Sequence, residues 1–190
     1  MLDISIGISE LKYAKTIHVV AVNNEVKELL WVLEKGFKDS ISIKTVNIKK
    51  ENKEHFNFKL EDETNAEVKY SLPLTYLYEP NSAILKAGAF KSISQVLKLS
   101  KLHQHSHLYT SIDYINFPGR RFKIIEVLLY NKNRIRKALG SKKANVTVRN
   151  FPDTVNTIKR KFNIKDGGDL YVFFTTNSVE EKITIITNKM

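Results

Sequence analysis

Lys143-Ala144-Asn145-Val146-Thr147-Val148-Arg149-Asn150 alternates apolar and polar side chains almost without a break. Ala144, Val146 and Val148 fall on one face of an extended chain, and Lys143, Asn145, Thr147 and Arg149 on the other. The spacing predicts a strand with one packed face and one face of polar donors. After it, Pro152 to Phe162 has helical spacing, with Val155, Ile158 and Phe162 inward and Asn156, Lys159, Arg160 and Asn163 outward. Before it, Asn131 to Leu139 buries Ile135, Ala138 and Leu139, exposes Arg134, Arg136 and Lys137, and is stopped by Gly140. Arg121 to Leu129, Leu170 to Thr176 and Lys182 to Thr187 read as further strands, the last two joined at Asn177-Ser178. Residues 106–110 read as a short strand, and Phe117-Pro118-Gly119 and Asp166-Gly167-Gly168-Asp169 as turns. Two β-α-β crossovers imply parallel pairs, and the final pair is antiparallel. The expected result is a small mixed sheet with helices on one face.

Charge is concentrated in this half. Residues 1–100 carry 14 Lys+Arg against 13 Asp+Glu, whereas residues 101–190 carry 17 against 7, which supplies +10 of the net +11. A folded module that is basic on one side suits a phosphate backbone. Helix 131–139 has no acid, and helix 152–162 has only Asp153. Guanidinium groups give bidentate phosphate contacts, and lysines add point charge. A solvated amphipathic surface is the plainer reading of the same residues.

Other chemistry is poorly represented. There is no cysteine, which removes disulfides and thiolate nucleophiles and fits a reducing cytosol. His103, His105 and His107 alternate, but strictly adjacent positions of this kind converge poorly on one tetrahedral ion, so no metal is assigned. No Ser-His-Asp set, Walker loop or glycine-rich dinucleotide loop is found, and residues 1–80 hold only Gly7 and Gly36. Met1 to Ser5 lacks the basic region of a signal peptide, and the run Ile17 to Val22 is too short to span a bilayer. No basic helix has the apolar face that membrane-surface binding needs. The expected location is the cytoplasm.

Residues 1–70 read as the closing part of an α/β sheet. Residues 3–14 are expected to form a helix capped by Asp3 or Ser5, and 16–22 a strand apolar on both faces, at the middle of a covered sheet. After Asn23-Asn24, Val26, Leu29, Leu30 and Leu33 predict a helix over 25–35 that Gly36 ends. Ile41 to Ile48 and Phe56 to Leu60 read as strands. The acidic stretch Glu61-Asp62-Glu63 and Pro73 mark a boundary near residue 70, dividing the chain into 1–70 and 71–190. From Pro80 a helix is expected to run to about Leu97, with Gly88 in its middle suggesting close packing.

Five stretches now come in order: Tyr78-Glu79-Pro80-Asn81-Ser82-Ala83-Ile84-Leu85-Lys86-Ala87-Gly88, His107-Leu108-Tyr109-Thr110-Ser111, Phe117-Pro118-Gly119-Arg120, Lys143 to Pro152, and Lys165-Asp166-Gly167-Gly168-Asp169. As an ordered set over about residues 75–176, they resemble the C-terminal region of bacterial class I S-adenosylmethionine-dependent RNA methyltransferases that end in a THUMP-like domain. Residues 1–60 resemble the last third of that methyltransferase fold, with Met1 to Ile4 at the helix after the catalytic loop. His18 to Glu25 resembles its fifth strand and exit. The fold implied is α/β: the C-terminal remnant of a Rossmann-like methyltransferase sheet at 1–70, then a small mixed-sheet THUMP-like module at 71–190. The function implied is binding of tRNA or ribosomal RNA. The RNA-contacting residues proposed from this reading and the charge pattern are Arg120, Arg121, Arg134, Arg136, Lys137, Lys142, Lys143, Arg149, Asn150, Lys159 and Arg160.

The family's cofactor-binding front half and catalytic loop have no counterpart here. The resemblance therefore implies a truncated part that is inactive alone. No cofactor is expected for this chain, and S-adenosylmethionine for the complete family enzyme; no catalytic residue is carried over. An edge left by the absent strands predicts self-association, or docking of a separate methyltransferase half, through residues 1–60. In that second case Asn23, Asn24 and Glu25 would line the pocket, a helix cap being their plainer reading. A third reading is an interaction module for an acidic protein.

Overall fold

The computed structural model describes residues 3–140 and 143–190. Contacts divide the chain into two compact units, Met1–Val68 with Pro80–Lys98, and Lys69–Glu79 with Leu99–Met190. The chain thus passes between units at 68/69, 79/80 and 98/99.

The first unit starts with helix α1 (Ile4–Glu10), capped by the Asp3 carboxylate accepting from the Ser5 N–H. It is shorter than expected because Tyr13 turns the chain at φ 64 and strand β1 (Ala14–Val22) begins at once. Residues 25–33 then form strand β2 (Glu25–Leu33), where a helix was expected. Asn23 and Asn24 have φ 49 and 65, the left-handed pair that a two-residue hairpin turn needs and that Asn tolerates. The helical look of β2 has a physical source. Val20 pairs with Glu28 and Ala21 with Val26, so Lys27 is an extra residue in the ladder. This bulge puts Val26, Leu29 and Trp31 on one face opposite Ala21, Val19 and Ile17, at helix-like intervals.

Strands β3 (Ser42–Ile48) and β4 (Lys53–Lys59) complete a sheet of order β2-β1-β3-β4, in which only β1 and β3 run parallel. The register stacks its buried face in rows: Trp31, Ile17, Ile43 and Phe58, then Leu29, Val19, Thr45 and Phe56. On the other face Leu30 and Val32 stand open, at 52% and 44% exposure, so β1 is not fully covered as expected. Helix α2 (Leu60–Asn65) follows. The expected helix over 80–97 is two pieces. Strand β5 (Tyr76–Pro80) leads into α3 (Ser82–Ala87), and α4 (Ser92–Val96) comes after a break. Gly88 makes that break as a left-handed C-cap at φ 76, with open space where a Cβ would sit, so it marks a stop and not close packing. Glu63 of α2 then fixes α4, accepting the N–H groups of Phe90, Lys91 and Ser92 at 2.8–3.0 Å. Helix α3 covers the sheet at β3, β1 and β2.

The second unit contains β6 (Ser100–Lys101), β7 (Tyr109–Ser111), β8 (Gly119–Leu129), α5 (Lys132–Leu139), β9 (Lys143–Arg149), α6 (Val155–Phe162), β10 (Lys165–Thr176) and β11 (Lys182–Lys189). With β5 they form one sheet of order β6-β7-β5-β8-β11-β10-β9. β9 and β10 are parallel, as their crossover predicted, and β10 and β11 antiparallel, as the hairpin predicted; the other crossover does not pair β8 with β9, because β11 and β10 lie between them. Ile135, Leu139, Ile158 and Phe162 from the two helices pack on Ala144, Val172, Phe174 and Ile186. Leu77, Leu102, Leu108 and Phe122 cover the opposite face at Phe173, Ile183 and Ile185. Residues 166–169 are not a free turn. They bulge out of β10, whose register jumps from Lys165 opposite Lys143 to Leu170 opposite Ala144. The Asn145 amide clamps this bulge, donating to the Gly168 carbonyl at 2.9 Å. Among the described residues no helix is long and apolar enough to cross a membrane.

Candidate nucleic-acid interface

Glu79 is the centre of the basic unit. It lies on β5, and its side chain is only 4% exposed. Its Oε2 accepts from Arg120 Nε at 2.5 Å, and its Oε1 pairs with Arg149 Nη2 at 2.6 Å. Arg120 opens β8 and Arg149 closes β9, so β11 and β10 lie between them in the sheet. They meet because the sheet coils over itself: Leu77 of β5 and Phe122 of β8 share one cluster with Phe173 of β10. A shift of register beside Ile186 and Thr187, a bulge in β8, supplies the bend. A buried carboxylate needs compensation, and two guanidiniums provide it. Each arginine stays about a third exposed, at 35% and 38%, so each keeps donors for another anion.

Around this pair lie further nitrogen groups. Arg120 also reaches the Thr147 hydroxyl at 3.4 Å. Asn150, in the left-handed region at φ 47, sends its amide to His103 Nδ1 at 2.9 Å. That nitrogen also accepts the His105 N–H, so Nε2 carries the proton and donates to Glu180 at 2.8 Å. His107 is held well below the ordinary imidazole range, at about 4, first by burial and then by the positive Lys101, His105 and Arg149. It is therefore neutral near pH 7. The three histidines do different work, and among the described residues no three metal-binding side chains converge.

The predicted residues fall into separate groups. Arg120, Arg149 and Asn150 come together on the sheet face away from the helices. Arg134, Arg136, Lys137, Lys159 and Arg160 lie on α5 and α6, which cover the other face. Arg136 is tied to the Lys161 carbonyl at 2.9 Å, and Lys159 to Asp166 at 2.5 Å; Arg134, Lys137 and Arg160 are exposed. Lys143 is exposed at the start of β9, the opposite end from Arg149. Arg121 points to the loop before β8, donating to the Tyr114 hydroxyl and to Asn116. Lys142 lies outside the described residues. Glu79 and His103 were not predicted, and Thr147 was placed on the polar donor face but not among the RNA contacts. Glu79 carried a signal, an acid in an otherwise apolar and proline-bounded stretch, but its partners are 41 and 70 positions away.

In the first unit Asn24 does cap a helix, although not at 25–35. Its Oδ1 accepts the Ser82 N–H at the start of α3, at 2.8 Å. Its own N–H is taken by Asn47, whose amide donates to Glu54, as does that of Asn81. These groups form a closed polar network in the end row of the sheet.

Residues 119–189 match a THUMP domain-like family, and residues 76–118 match a ferredoxin-like domain family. The latter match concerns the fold, since the chain has no cysteine to ligate an iron–sulfur cluster. No curated protein matches the chain. Among solved structures, the crystal structure of a candidate methyltransferase from Porphyromonas gingivalis W83 is similar, with 32% identity and a TM-score of 0.92. The match covers 100% of this chain and 49% of that one, so this chain spans about half the length of the solved relative.

Proposed function

We propose that this chain is the RNA-binding part of an S-adenosylmethionine-dependent methyltransferase of tRNA or ribosomal RNA, working in the cytoplasm. The observation that carries this reading is the arginine pair held by buried Glu79, in a basic unit that matches a THUMP-like family. Fixed guanidiniums lose little freedom on meeting a phosphate, and the surrounding charge brings the polyanion in. Residues 1–70 then serve as the end of the methyltransferase sheet, and 71–190 as the RNA-presenting module. The half of the fold that this chain does not span supplies the cofactor site, and the open edge of β2, with exposed Leu30, Val32 and Leu33, offers it a place to join. No residue of this chain is assigned a catalytic step.

The test is a salt series of binding to total tRNA and a ribosomal RNA fragment, with duplex DNA as control. RNA preference and a steep salt slope are expected. Arg149→Gln and the helix-face variant Arg134→Glu/Arg160→Glu then separate the two faces. Absence of binding at low salt would remove the RNA reading and leave a basic surface for an acidic protein.

A further inference from the structure

The loop between β7 and β8 holds a feature that the phosphate contacts do not use. Tyr78 is fully buried, and its hydroxyl fastens the loop: it accepts the Ile115 N–H at 2.9 Å, meets Ser111 Oγ at 2.9 Å and donates to the Asp113 carbonyl at 3.2 Å. Phe117, 2% exposed, anchors the far end against Tyr78 at 5.2 Å. Between these fixed points Tyr114 stands 45% exposed, beside Ile112 at 67%. Tyr76 meets the Tyr114 ring edge-on at 5.8 Å. Arg121 holds it from the hydroxyl end, with Nη1 2.8 Å from the phenol oxygen and Cζ 5.9 Å from the ring centre. The same nitrogen donates to Asn116 at 3.0 Å.

We infer that Tyr114, with Arg121, is a stacking site for one unpaired nucleobase. This rests on the RNA reading above and deepens it from phosphate attraction to a choice of strand state. An exposed aromatic on a mobile loop would cost ordering entropy to use; this one is already oriented. A cation at one end of the ring, in a unit of net charge +10, favours a base attached to phosphate over an apolar side chain. Bases within a duplex have both faces covered, so a single ring can accept only an unpaired or terminal base.

The experiment uses the full chain with a 12-nucleotide single-stranded RNA carrying one 2-aminopurine, and a 12-base-pair RNA duplex as reference. Quenching of 2-aminopurine by the wild type is expected. Tyr114→Ala should weaken single-strand binding roughly 5- to 150-fold, the equivalent of one base stack. Tyr114→Phe should stay within about 3-fold of wild type, and the duplex, which offers only its terminal bases, should lose far less affinity than the single strand on Tyr114→Ala. Wild-type binding with no quenching, or Tyr114→Ala binding the single strand as tightly as wild type, overturns the stacking site and leaves the RNA reading intact. No binding of either RNA by the wild type overturns both. Equal losses for single strand and duplex also overturn it, since they indicate general damage to the face.

Discussion

Replacing Glu79 by Gln removes one buried charge and keeps the shape of the side chain. Two unit charges about 4 Å apart attract by about 4 kcal/mol at an effective dielectric of 20. Glu79 makes two such contacts, at 2.5 Å to Arg120 and 2.6 Å to Arg149. The arginines are 35% and 38% exposed, so screening and side-chain ordering reduce each contact to the order of 1 kcal/mol. Loss of the carboxylate's own desolvation cost offsets part of this. The expected net loss is about 1–3 kcal/mol. For a chain of this size that lowers the melting temperature by roughly 2–12 °C, read by far-ultraviolet circular dichroism. Removing both arginines should cost more, because it leaves a carboxylate buried without compensation. A double-mutant cycle of Glu79→Gln with Arg149→Ala should show a coupling above about 0.5 kcal/mol. An unchanged or higher melting temperature for Glu79→Gln, together with additive effects in the cycle, would show that the buried carboxylate does not hold the arginines.

Two further outcomes are expected. At Asn24, whose φ is 65 and whose side chain caps α3, Gly should lose the cap alone, whereas Ala should lose the cap and also strain the turn. Chemical denaturation should rank Asn above Gly above Ala, with about 1 kcal/mol for each contribution; Ala equal to Asn would refute the capping role. For His107, held at about 4 in the folded chain against 6.5 unfolded, the unfolded state binds the extra proton between these values. Its penalty is therefore absent above pH 6.5, grows as pH falls and is complete below about 4. His107→Gln should flatten the acid limb of a melting-temperature profile between pH 6.5 and 4, and an unaltered limb would assign that pH dependence to other groups.

Much of the second unit was legible because its periodicity is local. Ala144, Val146 and Val148 alternate, and Ile135 with Leu139 and Ile158 with Phe162 repeat at helical spacing, so strand and helices followed from one-dimensional pattern. Errors came where an extra residue broke the pattern. The bulge at Lys27 gives β2 a helical rhythm, which hides the hairpin turn at Asn23-Asn24. The bulge at 166–169 looked like a turn for the same reason, since two glycines with positive φ serve either structure.

By itself the sequence determined what is additive along the chain: the one-sided charge, the packed faces of β9, α5 and α6, the absence of thiol chemistry and the ordered stretches behind the THUMP-like resemblance. Tertiary structure alone decided which charges meet. Glu79 and Arg120 come from the neighbouring strands β5 and β8, whereas Arg149 comes from β9, with β11 and β10 between, and it reaches them only because the sheet coils. Strand alternation puts Arg149 on the face opposite α5 and α6, so the basic residues of this half are divided between two faces. Ion pairing and burial depend on distance through space, and no spacing along 190 residues encodes a contact made by a bend in a sheet.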